Sequence, residues 1–239
     1  MNRERIMLIG HRGAMAREEE NSYSAFEAGL RMGAGMLEMD ARCSRDGKIV
    51  IMHDEMLERT SDGRGKVSGL NMKELGRLRL RNGEPIPTLE NVLEKFGRRC
   101  ILNIELKDKG SAEAAGEIVR RMKMLDTVLF SSFHSPWLVS LKLKCPKARV
   151  AVISKERGVD LVRIATSIGA EAIHPARKIT SEALIAKAHA EGLKVNVWTV
   201  NWPWQAKKLI AWGADGIFTD KPDTIATLLA KINENSEQV

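Results

Sequence analysis

The chain has 239 residues, 44% of them apolar and 29% charged, with 38 Lys+Arg against 31 Asp+Glu for a formal charge of +7. An ordinary apolar fraction with both charge signs mixed along the chain excludes a disordered polyelectrolyte, and the length suits one large domain or two small ones. No apolar run approaches the roughly 18 residues of a membrane span, the start from Met1 to Arg5 is polar, and Cys43, Cys100 and Cys145 stand far apart without a CxxC pair. Neither a stable membrane anchor, a disulfide framework nor a thiolate zinc site is expected, and a reducing cytoplasm fits best. The basic surplus suits nucleic acid, an anionic membrane or an anionic small substrate, and charge alone does not choose among them.

Short apolar runs alternate with amphipathic stretches along the chain, the pattern of strands covered by helices. The first strand reads as Ile6 to Gly10, followed by a helix from Ser22 to Met32 and a second strand from Met36 to Asp40. After an irregular segment come a helix from Thr88 to Phe96, a strand from Ile101 to Leu106 and a helix from Ala112 to Met124. The remaining strands are Val128 to Ser131, Arg149 to Ile153, Ala172 to His174, Lys194 to Thr199 and Gly216 to Thr219. Their helices are Pro136 to Leu143, Val159 to Ile168, Ser181 to Glu191, Trp202 to Ala211 and Pro222 to Ile232, with Ser135 expected to cap the first of these. Eight β/α units in roughly 250 residues is the size of a TIM (β/α)8 barrel, and an open doubly wound sheet usually uses fewer strands. We therefore expect one barrel domain over residues 1–239.

The alternation breaks between Asp40 and Thr88, where a short insertion follows the second strand. Asp46-Gly47 is a two-residue hairpin signal, and a turn there sets Arg45 opposite Lys48 and Asp40 opposite His53. That register holds an imidazole beside a carboxylate, and a bulge would shift it by one.

Side chains that carry chemistry collect where a barrel builds its active site, at the C-terminal ends of strands. His11-Arg12-Gly13 follows the first strand and offers a proton carrier and a fork-shaped anion ligand. Glu38 and Asp40 end the second strand on one face, and Asn103, Glu105 and Lys107 share a face at the end of the next. Taken singly, each group reads as readily as solvated acids or a fortuitous ion pair. Three acids at the ends of two strands in otherwise apolar runs are harder to dismiss, and an all-oxygen cluster suits Mg²⁺, Ca²⁺ or Mn²⁺ better than zinc. Phe133 and Trp198 are further rim candidates, although strand-end aromatics are more often core. His134, His174 and His189 have no comparable partners in the sequence, and Arg59, Arg64 and Lys66 among Gly63, Gly65 and Gly69 read first as a solvated loop.

An ordered set of motifs then resembles the glycerophosphodiester phosphodiesterases. It comprises His11-Arg12-Gly13, Glu20-Asn21-Ser22, Glu38-x-Asp40, Asp46-Gly47, His53-Asp54, Ile86-Pro-Thr-Leu-Glu90, Asn103-Ile-Glu105-x-Lys107, Ser131-Ser-Phe133, Trp198-Thr-Val-Asn201 and Asp215-Gly-Ile-x-Thr-Asp220. The resemblance implies a TIM barrel that hydrolyses glycerophosphodiesters to glycerol 3-phosphate and an alcohol with one divalent cation. It implies Glu38, Asp40 and Glu105 as metal ligands and His11 and His53 as the acid-base pair. It also implies Arg12 and Lys107 near the phosphate and Phe133 and Trp198 lining the substrate side. Residues from about Asp54 to Pro87 correspond to the family's small insertion over the barrel mouth, here short. Where the family carries proline before Glu-Asn this chain has Glu19, and where it carries threonine after Asn it has Ser22.

The small anionic diester becomes the expected partner in place of nucleic acid. A nucleic-acid-binding protein would need a basic stripe with interleaved aromatics, and an amidohydrolase would need an HxH pair on the first strand. The nearest alternative is a lysophospholipase D-like enzyme on the same barrel, with Met56, Leu57, Leu70 and Met72 forming an apolar apron or packing the insertion down.

Overall fold

A computed structural model describes residues 6–237; the polar start, Met1 to Arg5, lies outside them. In chain order the barrel units are β1 (Met7–Gly10), α1 (Tyr23–Arg31), β2 (Met36–Cys43), then β3 (Ile49–Ile51), α2 (Met72–Leu75), α3 (Leu89–Phe96) and β4 (Ile101–Leu106). There follow α4 (Lys109–Arg121), β5 (Val128–Ser132), α5 (Ser135–Lys144), β6 (Arg149–Ser154), α6 (Leu161–Ser167) and β7 (Ala172–Pro175). The last units are α7 (Glu182–Ala190), β8 (Lys194–Val197), α8 (Pro203–Ala211), β9 (Gly216–Thr219) and α9 (Pro222–Glu237). Strands join in the order β1-β9-β8-β7-β6-β5-β4-β2, and β1 pairs back onto β2. Every pairing in that ring is parallel, so the sheet closes into the expected TIM barrel and β3 lies outside it, antiparallel to β2.

Period-two alternation explains both sides of the barrel wall. Outward residues such as Leu37, Met39, Leu102, Ile104, Phe130, Val150 and Ile217 join one large core with the helices. Inward residues change character along the axis. Ile9, Met36, Leu129, Ala151, Ala172 and Phe218 pack an apolar cluster within the lumen, and Glu38, Asn103, Ser131 and His174 are buried polar side chains one step further along their strands than Met36, Ile101, Leu129 and Ala172. The lumen thus carries an apolar cluster beneath polar side chains that face the C-terminal mouth.

Local signals set most helix starts. Ser22, Thr88, Asp108 and Ser181 each accept a backbone N–H of the first turn of their helix. Neither α8, with Trp202 at the cap position, nor α5, which begins at Ser135 itself with His134 at the cap position, has a side-chain cap bond, so Ser135 is not the expected cap. Proline can sit in the first turn without losing a helical hydrogen bond, so Pro136 tolerates the earlier start.

The hairpin departs from its expected register by one residue. Ala41 pairs with Ile51, Arg42 with Val50 and Cys43 with Ile49. Gly47 N–H donates to Ser44 O, Ser44 N–H donates to Lys48 O, and Gly47 lies at φ +75. A turn closed by a left-handed glycine bulge spends three loop residues instead of two. The N–H of Met52 therefore donates to Asp40 O, and His53 falls one position beyond the ladder, its carbonyl held by Arg42 at 2.9 and 2.7 Å.

Residues 54–87 build a small cap with its own apolar centre. Leu57, Val67, Leu75, Leu80 and Ile86 pack on Val50 and Met52, with Leu70, Met72 and Leu78 against them. Of the candidate apolar apron only Met56 is left exposed. Glu84 fastens the cap to α1 by accepting the N–H groups of Tyr23 and Ser24.

Candidate active site

The turn after β1 places the first two functional side chains. Arg12 lies at φ +50 and Gly13 at φ +85. A Cβ on Gly13 would meet the backbone carbon of Ala25 at 2.5 Å, so only glycine lets α1 approach this turn. Held this way, Arg12 N–H donates to Glu38 Oε2 at 2.7 Å. Asn21, also left-handed at φ +57, donates from Nδ2 to Asp40 Oδ2 at 2.8 Å.

One cavity of about 470 Å³ at the C-terminal mouth is lined by His11, Arg12, Glu38, His53, Glu105, Lys107, Phe133 and Trp198, together with Asn103, Lys155 and His174. Asp40 lies behind this lining, buried beside Glu38. All nine candidates from the sequence are thus gathered at one end of the barrel. Phe133 is not a core residue, whereas Trp198 is half-buried and packs against the apolar cluster of the lumen. Their rings meet edge-on with centroids 5.6 Å apart, and Phe133 is 40% exposed.

Glu38, Asp40 and Glu105 each bring a carboxylate oxygen within 4.8 Å of the others. Asp40 is stabilised by its cationic neighbours. Burial opposes its ionisation, but Lys107 Nζ at 3.3 Å from Oδ1, Arg12 Nε at 3.3 Å from Oδ2 and the Asn21 hydrogen bond hold its carboxyl below the usual range. Glu38 has no such surplus. Burial, then the charge of Asp40, raise its pKa, and Glu105 is raised for the same reasons despite Lys107 Nζ at 2.6 Å. Glu38 Oε1 and Asp40 Oδ1 are buried without a hydrogen-bond partner. Orphaned oxygens on crowded carboxylates are what a hard divalent cation would satisfy, so the residues present fit such an ion.

Of the cavity's three histidines, His11 and His53 are each backed by an aspartate. His11 Nδ1 lies 2.6 Å from Asp220 Oδ1, and Asn201 Nδ2 holds the other oxygen of Asp220 at 2.6 Å. His53 Nδ1 lies 2.7 Å from Asp54 Oδ1. Burial lowers the pKa of His11, but the hydrogen bond to Asp220 and the charge of Glu38 outweigh it and the net shift is upward. For His53 burial prevails, helped by Lys107 and Arg12 and only partly opposed by Asp40 and Asp54, and the net shift is downward.

Asp220, Asn201, Asp54, Glu20 and Arg59 had no role in the sequence reading, though all but Arg59 stand inside its motifs. Arg59 is not merely a solvated loop residue. It contacts Asp54 through Nε and donates from Nη1 and Nη2 to Glu20 at 2.8 and 2.7 Å, while Glu20 also accepts from Arg12 Nη1 at 2.9 Å. An unbroken chain of charged contacts therefore runs from His53 through the cap to Arg12 and Asp40. Glu19 is half-buried at its side, and burial with the charge of Glu20 raises its carboxyl pKa. The remaining histidines have no aspartate-backed place in the cavity: His174 lines it from below, buried against Phe218, while His189 pairs with Asp215 and His134 lies against Trp137.

A family model described as the glycerophosphoryl diester phosphodiesterase family matches residues 11–224. The glycerophosphodiester phosphodiesterase of Bacillus altitudinis is 33% identical, over 90% of this chain and 95% of that protein. Its counterpart from Caldanaerobacter subterraneus subsp. tengcongensis is 29% identical over 95% and 99%. A solved Oleispira antarctica phosphodiesterase, in complex with the product sn-glycerol-3-phosphate, matches with a TM-score of 0.86 at 27% identity, covering 94% of this chain and 96% of that one. With fold, motif order and relatives in agreement, the chain belongs to the glycerophosphoryl diester phosphodiesterase family.

Proposed function

We propose that this chain, acting as one catalytic unit, hydrolyses glycerophosphodiesters to glycerol 3-phosphate and an alcohol, with one divalent cation, Mg²⁺ or Ca²⁺ or else Mn²⁺, held by Glu38, Asp40 and Glu105. The observation that carries the reading is the pair of His–Asp dyads on one cavity that also contains three carboxylates, Arg12 and Lys107. When bound, the cation would neutralise and polarise the phosphoryl oxygens.

The chain's own residues then divide the remaining work. Arg12 and Lys107 draw in the anionic diester and balance the charge that builds up in the transition state. His53, kept neutral by its setting, takes the proton of the attacking oxygen at Nε2, because Nδ1 is engaged by Asp54. His11, whose pKa is raised by Asp220 and Glu38 against the effect of burial, gives its Nε2 proton to the departing alkoxide, because Nδ1 is engaged by Asp220. Two carboxylate-backed imidazoles with pKa values moved apart are an acid and a base. Phe133 and Trp198 supply an apolar wall for the carbon skeleton of the substrate.

The cap's Leu57, Leu70 and Met72 are turned inward, which favours a small water-soluble diester over a lysophospholipid held by an apolar apron on the cap. Three cysteines without a disulfide suit a cytoplasmic setting. The test is release of glycerol 3-phosphate from glycerophosphocholine with added Mg²⁺ or Ca²⁺ and with excess chelator, alongside a long-chain lysophosphatidylcholine. The reading requires turnover of the soluble diester that chelator abolishes; full activity in chelator refutes the metal role.

A further inference from the structure

The two halves of the barrel mouth differ in how their charges are used. On the side of β1, β2 and β4, the cations Arg12, Arg59 and Lys107 are each taken by carboxylates. On the side of β6 to β9 they are not. Arg157 follows β6, Arg177 and Lys178 follow β7, and Lys221 follows β9. Arg157 Nη2 donates to Lys178 O at 3.3 Å, joining the first two loops. Lys221 Nζ lies 5.0 Å from the Trp202 ring centroid, joining the last two. Of the acids on this side, Asp160 is taken by Lys187, Asp223 by Arg17 and Asp220 by His11, while among the described residues Glu156 and Glu182 make no ion pair and leave the cations in excess. Among the described residues Arg157, Arg177, Lys178 and Lys208 pair with no carboxylate, and Glu156 is the acid left nearest them in sequence.

Two large apolar side chains stand among these cations. Trp202 is 56% exposed and Trp204 is 65% exposed, at the first turn of α8, the end of that helix nearest the mouth. Trp204 and Trp212 also line a groove of about 320 Å³ with Arg157, Arg177, Lys178 and Lys208, and no acid lines it. Exposed tryptophans cost solvation unless a partner covers them, and their amphipathic rings suit the headgroup level of a bilayer. Unpaired Lys and Arg beside them suit anionic lipid.

We propose that this arc of the mouth, from Arg157 to Lys221, is a docking surface for an anionic lipid bilayer, with Trp202 and Trp204 entering the interface and Arg177 and Lys178 facing the headgroups. The surface is continuous with the catalytic cavity through β8: Trp198 and Thr199 line the cavity, and Trp202 follows within one turn of chain. Docking would therefore set the mouth beside the membrane without any spanning segment. Among the described residues no helix is long and apolar enough to cross one. Nucleic acid, the other polyanion, is a less good fit because the basic arc borders a small-molecule cavity on one side only and the two rings stand at the edge of the mouth.

The test is co-sedimentation of the full chain with vesicles of phosphatidylcholine alone or with 30 mol% phosphatidylserine, at low and high salt. It is read without turnover, so its outcome is separate from that of the catalytic reading. Binding should require phosphatidylserine and be lost at high salt. Each Lys or Arg near such a surface is worth roughly fivefold in partitioning, so Arg177→Ala with Lys178→Ala should bind about 30-fold less well. Trp202→Ala with Trp204→Ala should also bind less, and in the parent a blue shift of tryptophan emission should accompany binding. Thermal unfolding curves matching the parent's verify the fold of both double variants. Equal partitioning onto both vesicles, no binding at all, or variants that bind as the parent does would overturn the proposal. Preferential binding of a single-stranded oligonucleotide over the anionic vesicles would overturn it in favour of nucleic acid.

Discussion

His11 Nδ1 and Asp220 Oδ1 lie 2.6 Å apart although 209 residues separate them in the chain. The contact closes the barrel functionally, joining the turn after β1 to the end of β9. Because Asp220 raises the pKa of His11, Asp220→Asn should lower it. A general acid must be protonated, so kcat/KM falls as pH rises through the pKa of His11, and in Asp220→Asn that fall should move to lower pH. A pH profile checks this, and a basic limb that stays in place would separate Asp220 from the acid.

The cap acts on His53 through Arg59. Arg59→Ala would leave Asp54 and the buried Glu20 without their shared cation. Nearly half of the Arg59 side chain is in solvent, so screening should limit the loss of stability to about 1 kcal/mol. The greater loss should be in kcat, because Asp54 then no longer fixes the His53 ring. Urea unfolding and steady-state kinetics on the same variant separate the two effects.

Crowding of Glu38, Asp40 and Glu105 predicts an opposite response of stability and ion binding. In Glu38→Gln, the amide oxygen can still accept from Arg12 N–H while one buried carboxylate is removed. The ion-free variant should be as stable as the parent or more so, and a divalent ion should raise the Tm of the parent but not that of the variant. In the parent that rise corresponds to about 2.7 kcal/mol at a hundredfold excess over Kd. Calorimetry with and without chelator reads both.

His174 gives the fold an acid sensitivity of its own. Burial lowers its pKa to about 3, against roughly 6.5 in an unfolded chain. Between those values the unfolded chain binds the extra proton, so this group's contribution to stability is complete above pH 6.5 and declines on acidification. The slope is about 1.4 kcal/mol per pH unit. His174→Gln keeps a polar group beside Asn196, which lies 3.1 Å from the ring, and removes the titration. Its unfolding free energy should therefore fall less than the parent's between pH 7 and 5, by about 2 kcal/mol, in urea titrations at both pH values.

Gly13 links fold to site. Gly13→Ala has to accommodate a positive φ and a Cβ 2.5 Å from an Ala25 backbone atom, a cost of at least about 1–3 kcal/mol. Thermal unfolding should register that loss, and activity should fall with it because Arg12 and His11 ride on the same turn.

What could be read from the residues alone divides along physical lines. The strands, their inward faces and the convergence of Glu38, Asp40 and Glu105 follow from period-two alternation, which is local. The hairpin register followed from Asp46-Gly47 only to within one residue, because a glycine bulge and a two-residue turn share that dipeptide. The long-range partner of His11 and the cation that holds Asp54 behind His53 were not legible. Asp220 reaches His11 only once the barrel closes, and Arg59 reaches Glu20 and Asp54 only once the cap folds over the rim. No spacing rule encodes either contact. Exposure of Phe133 was equally hidden, since a strand-end aromatic looks the same in sequence whether it faces the core or the mouth.

The central claim is that His11 and His53 carry the proton transfers. Its most direct test is kcat for glycerophosphocholine hydrolysis at saturating divalent ion in His11→Ala and His53→Ala, with folding checked by unfolding curves. Each variant should lose about 10²- to 10⁴-fold while binding the ion as the parent does. Turnover within a few-fold of the parent in either folded variant would contradict the account.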